Sequence, residues 1–183
     1  MRSSLIFLSY LEDADVAWMV QACRKLSRSP GEVIIERGAV NKDIYLLVEG
    51  KCSVTAANNL SLGEIESGDL IGEVSYVDER RTTSQVSAQT PVVLAHLSAQ
   101  TLAGKLQTDL GFAARFYRGV ASVLAFRLRK NLQATITRQS NVLSSSEEFV
   151  GEIDTTDLDA TARSGARLAF MLKALNGSHT QGT

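Results

Sequence analysis

The chain has 183 residues and a mass of 19.8 kDa, enough for one domain of ordinary size plus additional helices. Nineteen Lys and Arg stand against twenty Asp and Glu, and 44% of residues are hydrophobic. That is a soluble globular composition, and it excludes polyanion binding driven by net charge. Two cysteines 29 positions apart, Cys23 and Cys52, exclude a disulfide framework, a zinc knuckle and a thiolate-bound iron–sulfur cluster.

In chain order, the first segment, 1–28, reads as helical. Leu5, Leu8, Leu11, Val16, Met19 and Val20 recur at helical spacing, and Asp13 or Asp15 is placed to cap a second short helix. The apolar run Leu5-Ile6-Phe7-Leu8 meets Glu12-Asp13 too soon for a signal-peptide core or a membrane span, so a cytoplasmic location with no membrane contact is expected. The two cysteines then read as buried free thiols of a reducing compartment.

Over 29–99 the period changes. Short apolar runs alternate with turn residues: Glu32 to Glu36, Ile44 to Glu49, Cys52 to Ala56, Leu60 to Ile65, Leu70-Ile71, Gln85 to Ala88 and Val92 to Leu97. Pro30-Gly31, Arg37-Gly38, Glu49-Gly50, Asn58-Asn59 and Ser67-Gly68-Asp69 separate them. Asn58-Asn59 predicts a tight hairpin, because asparagine tolerates the left-handed backbone such turns need. Many short strands at this spacing predict a sandwich or barrel rather than βαβ units.

The segment 100–139 is helical again. Tyr117, Val120, Leu124, Leu128, Leu132 and Ile136 draw an apolar stripe, widened by Phe112, Phe116, Val123 and Phe126. Seven Lys and Arg face a single acid, Asp109, over 102–139. Serines and acids with few bulky apolar residues make 140–160 read as a flexible acidic linker. A last amphipathic helix is expected in 161–183, with Leu168, Met171, Leu172 and Leu175 on one face over 161–175 and a stop at Asn176-Gly177.

The most specific stretch is Gly68-Asp69-Leu70-Ile71-Gly72-Glu73-Val74-Ser75, preceded by Gly38 and by the run from Ile44 to Val54 with its Glu49-Gly50. In order and spacing these marks resemble the cyclic nucleotide-binding domain family, the sensory domain of catabolite-activator-type regulators, over roughly residues 5–138. The resemblance implies an α+β fold: a jelly-roll-like β-roll, or double-stranded β-helix, with helices before and after it. It implies a phosphate-binding cassette in which Glu73 accepts from a ribose hydroxyl and Gly72 lets backbone approach the ligand. It also implies that the N–H groups of Val74 and Ser75 face the phosphate. The implied ligand is cAMP or cGMP, with no further cofactor.

The chain departs from that pattern where the family carries its phosphate-pairing arginine. Anchored on Val86 and Ala88, Thr82 takes the arginine position, Arg81 lies one residue early, and Thr83-Ser84 follow. A one-residue slip on an extended segment turns a side chain to the other face. Three outcomes stay open: Arg81 or Arg80 swings in; the site takes another ligand, or a cyclic nucleotide weakly; or the pocket is structural only. Hydroxyls of Thr82, Thr83 and Ser84 are weaker neutral substitutes. Arg127 and Arg129 on the long helix are candidates to cap the base, and Leu124 to Ile136 to pair two subunits.

No catalytic constellation is present. His96 in an apolar strand and His179 near the end build no zinc site or triad. The reading is a non-enzymatic sensor that binds a cyclic nucleotide or a related small phosphate ligand and signals through its C-terminal helices. The alternative is a scaffold with a vestigial pocket that docks a protein partner through 161–175. A DNA-binding regulator ranks third, because the 44 residues after Gln139 are acidic and hold no turn between two helices.

Overall fold

A computed structural model describes residues 2–140 and 156–177. Two helices open the chain, α1 (Ser3–Ser9) and α2 (Asp13–Ala22). Glu12 and Asp15 form a capping box at the start of α2, each side chain accepting from the other end's backbone N–H. Eight strands follow: β1 (Arg24–Arg28), β2 (Val33–Ile35), β3 (Ile44–Glu49), β4 (Lys51–Thr55), β5 (Ser61–Glu66), β6 (Leu70–Ile71), β7 (Gln85–Ala88) and β8 (Val92–Leu97). A short helix, α3 (Glu73–Asp78), sits between β6 and β7, and α4 (Ala99–Thr108), α5 (Leu110–Ser140) and α6 (Thr156–Gly177) complete the described chain.

The strands form two four-stranded sheets, ordered β1-β8-β3-β6 and β2-β7-β4-β5, with every pairing antiparallel. The fold is α+β with a jelly-roll-like roll and flanking helices, as the sequence implies. The β4–β5 hairpin turns at Asn58 and Asn59, both left-handed (φ 57° and 58°), as their residue type predicts.

β3 explains the layering. Its residues alternate between two cores, so the run from Ile44 to Val48 is apolar and buried on both sides. Tyr45 and Leu47 join Cys52, Ile71, Val86 and Leu94 inside the roll. Ile44, Leu46 and Val48 face outward, onto a helical layer built from Phe7, Leu8, Phe112, Phe116 and Val120. Phe116 is the hub of that layer, with edge contacts to Phe7 at 5.5 Å and Tyr76 at 5.7 Å between ring centroids. Gly119 allows the approach of α1 to α5, since a Cβ there would lie 2.9 Å from the Phe7 ring.

Three expectations are corrected. Arg24 to Arg28 is a strand, not the end of a helix, so the roll begins at β1 rather than at residue 29. Leu26 is its one apolar residue, and its order comes from pairing with β8 across the whole roll, a contact that local periodicity does not carry. The segment read as helical over 100–139 is divided in two at Asp109 (φ −132°), whose carboxylate accepts from the Phe112 N–H at 2.8 Å and starts α5 anew.

The third correction concerns α6, which begins at Thr156, inside the stretch read as linker. Residues 141–155 lie outside the described residues. The α6 face expected to dock a partner is already covered: Leu168, Met171 and Leu175 are buried, and α6 packs on α1 and α2. Arg167 fixes the register, donating to Asp13 Oδ1 at 2.8 Å and to the Leu8 carbonyl at 3.0 Å.

Asp15 is buried under a two-pronged bond from Arg115, at 2.7 Å and 2.9 Å. Burial pushes its carboxyl up, but the Arg115 fork and the Glu12 N–H outweigh burial and hold it below the usual aspartate range. A depressed native value means a contribution to stability that is complete above the ordinary aspartate range and is lost as the pH falls through the native value. Arg115→Ala is therefore expected to cost about 3 kcal/mol at neutral pH by leaving a buried carboxylate unpaired, and less in acid, as checked by urea unfolding at two pH values.

Candidate functional site

The site lies where β6, α3, the loop before β7 and the middle of α5 meet. β6 ends at Gly72, which turns with φ 94°. A Cβ there would sit 2.3 Å from the Asp43 carbonyl, so only glycine lets the chain pass and start α3. Gly72→Ala is expected to cost more than about 1 kcal/mol and to lower the thermal midpoint by several degrees, as checked by calorimetry.

Glu73 follows at the head of α3 and is 1% exposed. Arg127 of α5 reaches down to it, donating from Nη1 to Glu73 Oε1 and from Nη2 to the Leu70 carbonyl at 2.7 Å. Glu73 Oε2 is buried and has no hydrogen-bond partner. Burial drives the Glu73 carboxyl above the usual range, against the pull of Arg127. The same corner is tied to α1. The Ser3 N–H and hydroxyl both donate to Asp69 Oδ1 at 2.9 Å, the Leu70 N–H donates to Ser3 Oγ at 2.9 Å, and the Ser4 hydroxyl donates to the Gly68 carbonyl.

A cavity of about 450 Å³ opens beside this pair. Ile35, Val54, Ile65, Ile71 and Val86 of the roll wall one side, Leu62 of the hairpin and Leu124 of α5 close it, and Asn131 stands at its rim. All seven residues singled out from the sequence line it: Gly72, Glu73, Val74, Ser75, Arg81, Thr82 and Thr83. Their side chains do different things. The Thr82 hydroxyl is buried and donates to the Glu36 carbonyl at 2.5 Å, with Ala39 O a further 3.3 Å contact. Arg81 donates to the Gly38 carbonyl at 2.8 Å. Both therefore tie down the loop between β2 and β3. Arg80 is paired with Asp78 at 3.3 Å.

The contact of Arg127 with Glu73 is more than the sequence reading assigned to that arginine. The signal was a basic residue set among Val120, Leu124 and Asn131, spaced four, three and four along one helix face. The tie from Ser3 had no sequence signal. Arg129, the other cap candidate, is exposed and does not line the cavity. His96 is satisfied locally, 2.8 Å from Asp43 Oδ2 and stacked on Tyr45. Burial pushes the Cys23 thiol up to about 12 and Cys52 up to about 11, which leaves both unreactive near neutral pH. Among the described residues no helix is long and apolar enough to cross a membrane, and no group of three or more His, Cys, Asp or Glu is arranged for a metal ion.

Comparison with known proteins agrees with this geometry. The family model of the cyclic nucleotide-binding domain matches residues 25–109. A cyclic nucleotide-binding domain from Methylobacillus flagellatus superposes with a TM-score of 0.65 at 15% identity, over 76% of this chain and 78% of that one. The regulatory subunit of a cAMP-independent protein kinase A from Trypanosoma brucei superposes with a TM-score of 0.55 at 22% identity, over 78% of this chain and 48% of that one. That structure is of a triple mutant, one change replacing a threonine by an arginine, bound to cAMP in its A site. At these identities the likeness is one of fold. Among curated proteins, Glutaminase 2 of Bradyrhizobium diazoefficiens is 26% identical over 121 residues, covering 66% of this chain but only 19% of that protein. The match to the cyclic nucleotide-binding domain over residues 25–109 takes in the β-roll, the α3 cassette and α4.

Proposed function

We propose that the chain is a regulatory sensor: a ribose-bearing ligand of the nucleotide class enters the cavity between the roll and α5, and its occupancy is read out by the C-terminal helices. The observation that carries this is Glu73, a buried carboxylate with one oxygen unpartnered, among the residues that line a cavity whose far wall is a helix. A buried acceptor without a partner costs about 1–3 kcal/mol, and a ligand hydroxyl removes that cost. A ligand acts only through its different affinity for two arrangements of the protein. Here it would touch the roll and α5 together, and the Arg127, Ser3 and Leu70 contacts carry any shift of α5 to α1 and, beneath it, α6. The role is regulatory rather than enzymatic. The resemblance to Glutaminase 2 covers too little of that protein to carry its activity to this chain.

Calorimetric titration with cyclic nucleotides and their parent nucleosides tests the reading. Micromolar binding of at least one, lost in Glu73→Ala, is expected. No heat and no thermal shift at millimolar concentration across the panel would overturn it. That outcome would favour a scaffold with a structural pocket, a reading that draws on the Thr82 and Arg81 side chains being spent on the β2–β3 loop. For cyclic nucleotides in particular, Thr82→Arg is expected to raise affinity by about tenfold or more through a charge-assisted contact to the phosphate. The arginine-for-threonine change in the cAMP-bound trypanosomal mutant supports that expectation. Unchanged affinity in a folded Thr82→Arg protein would put the phosphate elsewhere.

The outer half of α5 fits a second copy of the chain. Val120 is buried at home, but Leu128, Leu132 and Ile136 are 61%, 53% and 62% exposed, one helical turn apart. A homodimer through this stripe removes an apolar surface that a monomer leaves in water. Leu128→Glu with Leu132→Glu is expected to give a monomer by light scattering where the parent is a dimer. A parent that is already monomeric at high micromolar concentration would reject the dimer.

A further inference from the structure

Arginine-directed protein kinases select their acceptors by charge. Carboxylates in the kinase groove pair with basic side chains two and three positions before the reacting hydroxyl. Two places in the chain carry consecutive basic residues at that spacing, Arg24-Lys25-Leu26-Ser27 and Arg80-Arg81-Thr82-Thr83. The fold separates them. Ser27 lies inside β1, in register with Val93 of β8, and would have to leave the sheet to enter another protein's cleft. Thr83 stands on the irregular segment between α3 and β7, where residues 79–81 are exposed as well. Thr82 pins that segment. Its hydroxyl donates to the Glu36 carbonyl, its N–H donates to the Ala39 carbonyl at 2.9 Å, and its own carbonyl accepts from the Gly38 N–H at 2.8 Å. Thr82 is thereby buried against the β2–β3 loop, while Arg80, Arg81 and Thr83 are exposed around it. The Arg80 side chain is 83% exposed and holds only Asp78, at 3.3 Å, and Arg81 uses one Nη1 on the Gly38 carbonyl. The Thr83 hydroxyl makes no hydrogen bond among the described residues, so its modification breaks no contact.

From this presentation we infer that Thr83 is a phosphorylation site for an arginine-directed serine/threonine kinase. Thr83 Oγ1 attacks the γ-phosphorus of the nucleoside triphosphate that the kinase brings, and the bond from that phosphorus to the β–γ bridging oxygen breaks. The diphosphate leaves with the electron pair, and the hydroxyl proton passes to the kinase's base. Thr83 also lines the cavity, so the product carries a charge of about −1.5 to −2 at its edge at neutral pH. Three phosphate oxygens there can accept from the N–H groups that Arg80 and Arg81 leave to water. The inference does not rest on the sensor reading and stands whether or not the cavity takes a nucleotide.

The test incubates the folded full chain with magnesium ATP and the free catalytic subunit of such a kinase, counts phosphates by intact mass and maps them by fragmentation. Synthetic peptides of residues 77–87 and 22–31 serve as unfolded comparators. The folded chain is expected to approach one phosphate, on Thr83, at a rate within about tenfold of the 77–87 peptide, with Ser27 modified in its peptide but not in the folded chain. Thr83→Val is expected to remove the phosphate, and Arg80→Ala with Arg81→Ala to slow its addition at least about tenfold. Circular dichroism checks the fold of each variant, and the 77–87 peptide carrying the same changes repeats the comparison where a variant does not fold. A folded chain that takes no phosphate overturns the inference, whether or not the peptide is modified. Phosphate confined to Ser27 or Ser84 overturns it, and so does a rate that the arginine substitutions leave unchanged.

Discussion

Arg127→Ala is expected to destabilise the protein by about 3 kcal/mol and to be rescued in large part by adding Glu73→Gln. Glu73 is fully buried at the head of α3, and among the described residues Arg127 is its one ion-pair partner. Removing one member of a buried pair leaves an uncompensated charge, whereas removing both charges takes away the cost together with the gain. The arginine is a third exposed, which sets the figure at the low end of what buried pairs cost. Urea unfolding of the parent, the two single variants and the double variant closes a cycle that isolates the pair. A coupling below about 0.5 kcal/mol would mean that α5 is held to the cassette by its apolar contacts, and that Arg127 does not govern how α5 responds to the cavity.

Met171→Ala is expected to lower stability by about 2–5 kcal/mol and the thermal midpoint by roughly 5–15 °C. Met171 is 1% exposed and lies between Leu168 and Leu175 in the core shared with α1 and α2. A loss this large from a single side chain near the end of the chain would show that α6 unfolds with the body. An unchanged midpoint, with α6 cleaved early by a protease, would instead make α6 a separately melting unit.

The roll was the most legible part of the chain. β3, β6, β7 and β8 match the apolar runs residue for residue, because each run is short, bounded by turn residues, and buried on at least one face. β1 was not legible. Its charges and single leucine carry no period of their own, and its order depends on β8, some seventy positions away. At the site, the glycine-rich lead into α3 was readable because Gly72 has no substitute at its φ and its distance from Asp43. The fates of Arg81 and Thr82 were not, because an extended segment puts neighbours on opposite faces and only the β2–β3 loop decides which side chain is spent on it. The covered face of α6 was read correctly as apolar and wrongly as vacant, since helical amphipathicity shows that a partner exists but not that α1 and α2 provide it.

The pairing of α6 with α1 has a kinetic consequence. Arg167 meets Asp13 across 154 positions of sequence, one of the longest separations in the fold. Contacts of such span carry the largest loop-closure entropy and form late unless the intervening chain has already condensed. The roll and α5 must therefore be in place before the two ends can close on each other. Phe7 and Leu8 are therefore only partly covered until α6 docks, and that half-covered helical layer is the stage of folding most prone to aggregate.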